Sequence, residues 1–172
     1  MKIYTIGHSN RDFDSFIVLL IKNGIEVIVD VRKIPKSRFA HFSEDYLKKE
    51  LPKLGIEYTH FPKLGGFRKK ILKDSPNTAI KSQGFRNYAD FMLTKEFEEE
   101  IKKIIELAKS KTIALMCAER FFWKCHRKFL ADYLKMRGFE VIHIIDDDKI
   151  MLHALSKSAR IEGGGLIYDI ER

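Results

Sequence analysis

The sequence predicts an α/β fold: a single domain, residues 1–172, with a mainly parallel sheet flanked by helices in a three-layer, Rossmann-like arrangement. Three observations lead there. Lys2–Gly7, Ile25–Val31, Ile113–Met116 and Glu140–Ile145 are four short apolar runs, and Ile25–Val31 is nearly continuous in β-branched residues, as strands covered on both faces are. Amphipathic helical stretches separate them. The chain of 172 residues is long enough for one substantial core.

The elements follow in order. Lys2–Gly7 is the first strand, and Asn10 or Asp12 caps a helix carrying Phe13, Phe16, Ile17 and Leu20 on one face, ended by Gly24. Ile25–Val31 completes a βαβ unit. Ser43 opens a helix over Glu44–Leu54 that Pro52 shortens or kinks, and Glu57–Phe61 alternates weakly, as an edge strand does. Lys63–Phe85 carries Gly65-Gly66, Pro76 and Gly84 and reads as a long loop, functional or mobile. Arg86–Leu93 and Glu96–Lys109 are helical; the second pairs early glutamates with later lysines at i,i+4. Thr112–Gly138 is a strand, a polar turn and a helix bearing Phe129, Leu130, Tyr133 and Leu134. After the Glu140 strand, Asp146-Asp147-Asp148 forms a turn, Ile150–Ser156 a short helix, and Leu166–Ile170 a last strand or docked tail.

Composition narrows the partners. The formal charge is +8, concentrated where Lys63, Arg68, Lys69, Lys70, Lys73, Lys81 and Arg86 face the single acid Asp74. Such a patch favours an anionic small molecule or nucleic acid. The longest apolar run, Phe16–Ile21, is too short to cross a bilayer, and Met1-Lys2 runs straight into a strand pattern, so the expectation is a cytoplasmic protein without membrane contact. Abundant Lys, Ile and Glu with the single Gln83 give a thermophile-like composition, in which a Cys117–Cys125 bridge is an option beside free thiols.

Parallel connections bring the strand C-termini to one edge. That edge gathers His8, Ser9 and Arg11; Asp30, Arg32, Ser37 and Arg38; and Cys117, Glu119, Cys125, His126 and Arg127. The crowding of Lys124, His126, Arg127 and Lys128 at a helix N-terminus opposes the helix dipole by about 0.3–1 kcal/mol per charge, so an anion is expected nearby, from Glu119, another acid or a ligand.

The motifs YTIGHSNR, DVRKIPKSR, LGG at 64–66, and MCAE followed by CHR resemble those of the DUF488 family of uncharacterised bacterial and archaeal proteins, in order and over most of the chain. The resemblance implies a small α/β domain and supplies no reaction.

Three chemistries fit the residues. In an anion-handling enzyme, His8, Ser9, Arg11, Asp30, Arg32, Ser37, Arg38 and Arg127 hold a phosphate or carboxylate, Cys117 or Cys125 is the nucleophile, and His126 or His8 moves protons with Glu119 or Asp30 orienting it. The compact Cys-x5-Arg loop of thiol phosphatases is missing, because Trp123 occupies the Arg position counted from Cys117. In a non-catalytic nucleic-acid-binding module, the basic loop tracks phosphates while Phe67, Phe85, Tyr88 and Trp123 stack. In a zinc site, Cys117, Cys125 and His126 bind metal with His8, although the Cys-x7-Cys-His spacing is unfamiliar; the expectation is no metal and no cofactor. His143 reads as a satisfied core histidine.

Overall fold

A computed structural model describes residues 1–171. Six strands form the main sheet, in the order β3-β2-β4-β1-β5-β6. They are β1 Lys2–Gly7, β2 Val27–Asp30, β3 Glu57–His60, β4 Ile113–Cys117, β5 Glu140–Asp146 and β6 Lys149–Leu152. The first five are parallel; β6 pairs antiparallel with β5. The helices are α1 Phe13–Lys22, α2 Glu44–Glu50, α3 Gln83–Phe91, α4 Lys95–Ala108 and α5 Arg127–Met136.

Alternation along the buried strands divides the core into two halves. Val27, Val29, Ile113 and Leu115 face α3, α4 and α5, packing with Tyr88, Phe97, Ile101, Phe129 and Leu130. Ile28, Ala114 and Met116 face α1 and α2, packing with Phe16, Leu20 and Leu47. The chain is thus a three-layer, single-domain α/β protein. Among the described residues, no helix is long and apolar enough to cross a membrane.

Several local expectations change. Ile150–Ser156 is not a helix: Lys149–Leu152 forms strand β6, returning from the Asp146–Asp148 turn to pair with β5. The unpaired edge of β5 outweighs the weak helical pattern, and all four β6 residues stay exposed. The helix predicted to Leu54 ends at Glu50 and finishes as one 3-10 turn, Pro52–Leu54, since Pro52 lacks the amide to continue it. Helix α3 begins at Gln83, three residues early, because the Ser82 hydroxyl caps it by accepting from the Phe85 N–H. Leu166 lies in a hairpin of β7 (Ala159–Glu162) with β8 (Gly165–Tyr168), turned by Gly163 and Gly164 at φ 57° and 82°.

The order of the central strands creates a crevice. From β1 the chain continues to β2 on one side; from β4 it crosses to β5 on the other. Adjacent strands with diverging connections open a cleft at their C-terminal ends. Here the register sets Gly7 beside Cys117 and Asp30 beside Met116. Gly7 is required by the close approach of the next loop: a Cβ there would lie 1.9 Å from the Glu119 carbonyl oxygen. Gly7→Ala is therefore expected to destabilise the fold by about 3 kcal/mol, the upper end for overpacking against backbone. Urea denaturation checks it, and an unchanged midpoint would mean that the loop does not press on β1.

Candidate functional site

Strand β4 ends in the buried Cys117. A 3-10 turn, Phe122–Lys124, then brings the half-buried Cys125 back, with its Sγ 3.3 Å from that of Cys117. Arg127, the first residue of α5, folds its side chain inward and is fully buried. Its Nε donates to Cys117 Sγ at 2.9 Å and its backbone N–H to Cys125 Sγ at 3.4 Å. Its Nη2 donates to the carbonyls of Glu119 and Arg120 at 2.5 and 3.3 Å, and Nη1 to Thr5 Oγ1 at 3.0 Å.

No carboxylate forms a salt bridge with Arg127 among the described residues. The ionisable groups in contact with it are the two thiols. The Cys117 hydrogen bond and the Arg127 cation bring Cys125 down to about 6, while burial drives Cys117 well up. The two thiols are thus pushed in opposite directions, Cys125 towards loss of its proton and Cys117 towards keeping it. Burial opposes the Arg127 charge, and the two sulfurs more than offset it.

Behind Arg127 runs a buried chain of hydrogen bonds. Thr5 Oγ1 accepts from Arg127, so its hydroxyl donates to His143 Nδ1 at 2.6 Å. The opposite ring edge, His143 Nε2–H, donates to His153 Nδ1 at 2.9 Å, and His153 Nε2–H to Asp132 Oδ1 at 2.7 Å. Asp132 also accepts from the Ser156 amide and hydroxyl and from the Tyr168 hydroxyl. Phe122 stacks on His143 with centroids 3.5 Å apart. A guanidinium and a carboxylate thus cap the two ends of the chain. His143 is satisfied as expected; Thr5, Asp132, His153, Ser156 and Tyr168 were not foreseen. Asp132 alone left a signal: it lies three residues after Phe129, on the buried face of α5.

A second cluster closes the neighbouring strand end. Arg32 grips Asp30 through Nε at 2.9 Å and Nη2 at 2.7 Å, and Tyr58 donates to the same carboxylate at 2.5 Å. Arg32 Nη1 donates to His8 Nε2 at 3.2 Å, leaving His8 Nδ1–H for the Ser9 carbonyl. His126 Nε2–H donates to the Val31 carbonyl at 3.1 Å. Arg11 donates to the carbonyls of Gly7 and Ile145. Arg11, Arg32 and Arg127 thus spend their donors inside the protein, whereas Arg38 is exposed over the Phe39 ring.

Two adjoining clefts open at this edge. One, of about 550 Å³, is lined by Cys117, Cys125, His126 and Arg32 with Lys33, Lys36, Lys124, Phe67, Phe85 and Tyr88. The other, of about 510 Å³, is lined by His8, Ser9, Ser37 and Arg38; both reach Lys36 and Glu119. Asp30, Arg11 and Arg127 lie beneath these surfaces. No hydrogen bond joins either cysteine to His8 or His126 among the described residues, nor do three or more His, Cys, Asp or Glu side chains gather to hold a metal. The Gly65-Gly66 pair serves packing: a Cβ on Gly65 would strike the Lys33 backbone at 2.6 Å.

The family model described as "Domain of unknown function DUF488" matches residues 12–134. That span holds Arg32, Cys117, Cys125, Arg127 and Asp132 and leaves out Thr5, His8, His143 and His153. No curated protein and no solved structure matches the chain.

Burial keeps three histidines neutral: His8 and His126 titrate near about 4 and His143 near about 2, below the ordinary 6.5. The unfolded chain binds protons at 6.5 that the native state refuses, so stability present at neutral pH is lost as pH falls from about 6.5 towards about 4. Urea midpoints at about pH 7 and about pH 5 measure this loss, and equal midpoints would contradict burial of neutral imidazoles.

Proposed function

The chain belongs to the DUF488 family, and from that footing we propose that it is a thiol enzyme in which the Cys125 thiolate attacks an anionic substrate held in the larger cleft. The observation that carries this reading is the buried Arg127, whose guanidinium donates to Cys117 Sγ and whose backbone N–H donates to Cys125 Sγ, with no carboxylate in a salt bridge to it among the described residues. A desolvated cation makes the loss of a thiol proton favourable. With Cys125 near about 6, the pair is about nine-tenths ionised at neutral pH. No histidine base is needed, and His126, neutral and bonded to Val31, serves as a wall of the site.

Anion binding falls to the free lysines of the cleft, Lys33, Lys36 and Lys124, and in the adjoining cleft to Arg38, with Ser9 and Ser37 as hydroxyl donors. The substrate is a phosphate- or carboxylate-bearing molecule whose apolar part meets Phe85, Tyr88 and Ile34. The free thiols fit a reducing compartment, and we place the protein in the cytoplasm.

A second reading, a nucleic-acid-binding surface, rests on a separate observation. Lys63, Lys69, Lys70, Lys73 and Lys81 are exposed and form no salt bridge among the described residues. Beside them Phe67 is 93% exposed and Trp123 43% exposed, an arrangement suited to stacking with phosphate contacts.

Alkylation by iodoacetamide tests the first reading. Cys125 should react with a midpoint near about pH 6, and Cys125→Ser should lose the fast phase. Cys117→Ala, which removes the donor, should move the midpoint up by about one unit or more. Slow and equal alkylation of both cysteines would refute the thiolate. Fluorescence of the single Trp123 tests the second reading. Single-stranded oligonucleotide should quench it, with affinity falling about tenfold or more between low and moderate salt; no quenching at low salt rules the surface out.

A further inference from the structure

We propose that Cys117 and Cys125 are a dithiol–disulfide couple that exchanges with small anionic disulfides, Cys125 attacking and Cys117 resolving. This rests on the reading of Cys125 as the nucleophile and adds what its neighbour does. The sulfurs are 3.3 Å apart, and a disulfide bond is about 2.05 Å long, so closure needs a shift of little more than an ångström. Cys117 is held by β4, which is paired on both sides by β1 and β2. Cys125 lies between the 3-10 turn and α5, in extended backbone outside both, where a small rotation is cheap.

Exposure sets the order of attack. Cys125 is half-buried at the cleft, and Cys117 lies behind it at 3% exposure. Cys125 sulfur attacks one sulfur of the substrate R–S–S–R; the S–S bond breaks and R–S⁻ leaves, taking a proton from water. A mixed disulfide remains on Cys125. Its charge has gone with the leaving thiolate, and Arg127 is left buried without an anion. Cys117 gives its proton to the hydroxide left when the first R–S⁻ took a proton from water, and its thiolate restores an anion at the sulfur that Arg127 Nε already touches at 2.9 Å. Cys117 then attacks Cys125 and expels the second R–S⁻. The balance is one substrate disulfide, one enzyme thiolate and one enzyme thiol in, one enzyme disulfide, one substrate thiol and one substrate thiolate out.

The same charge argument fixes the direction of ease. The closed bridge carries no negative charge for Arg127, so the dithiol is the favoured form, and small thiols reopen the bridge. The lysines lining the cleft, Lys33, Lys36 and Lys124, select an anionic partner.

Oxidised and reduced glutathione, read by mass spectrometry, test the couple. With oxidised glutathione the wild-type chain should end with one internal bridge and no retained glutathione, while Cys117→Ser should retain one glutathione on Cys125. Reduced glutathione should reopen the wild-type bridge. Measured against dithiothreitol as a free-thiol reference, oxidised glutathione should outpace the cationic disulfide cystamine about tenfold. Wild-type protein that keeps glutathione on Cys125 with Cys117 still free would overturn the couple and leave the nucleophile standing. Failure of Cys125 to react with either glutathione or iodoacetamide would remove both. A bridge that reduced glutathione fails to reopen would make the pair a fixed clasp, and a cystamine rate equal to that of glutathione would overturn the anionic partner.

Discussion

A guanidinium with no access to water governs this end of the molecule. Leaving water costs an ion several kcal/mol, and the cost is met only where its hydrogen bonds and its charge find partners. The guanidinium of Arg127 donates to two backbone carbonyls, the Thr5 hydroxyl and the Cys117 sulfur, and the Cys125 sulfur lies against its backbone N–H. These contacts tie α5 to the ends of β4 and β1, the strands where the crevice opens. They also account for the cations at the start of α5. The side chain of Arg127 leaves the helix end and inserts into the sheet edge, where its Nε meets the Cys117 sulfur.

That arrangement sets the two sulfurs apart from the histidines. The histidines that seemed natural partners for the cysteines are occupied elsewhere: His8 between Arg32 and Ser9, His126 on Val31. Desolvation keeps both neutral. With the histidines held elsewhere, the buried cation lies against two sulfurs, Cys125 at the cleft and Cys117 behind it. The relay through Thr5, His143 and His153 to Asp132 anchors that cation from behind and fixes each ring tautomer along the way.

The basic loop owes its order to side chains. Residues 65–82 contain no helix or strand, yet the stretch is pinned at both faces. The Tyr88 hydroxyl donates to the Leu64 carbonyl, and Asn87 to that of Arg68. Asp90 accepts from Ser75 and Asn77, and Asn77 accepts in turn from the Tyr168 amide. Backbone polar groups that secondary structure leaves unpaired are met this way, and the lysines between the anchors project into solvent.

Much was legible in the residues themselves. Short apolar runs marked β1, β2, β4 and β5 as buried strands, the β-branched β2 run most clearly as part of a parallel sheet, and parallelism placed His8, Arg32 and Cys117 at a common edge. The Asp30–Arg32 pair was legible too, since neighbours two apart in an extended chain share a face. These properties are local, written in spacings of two to four residues. The strand order, the conversion of Lys149–Leu152 from helix to strand, the meeting of Arg127 with Cys117 and the path from Thr5 to Asp132 were decided only by the folded chain. Their partners are up to 138 residues apart. Which buried polar group satisfies which depends on the packing that brings them together, and no local pattern encodes that choice.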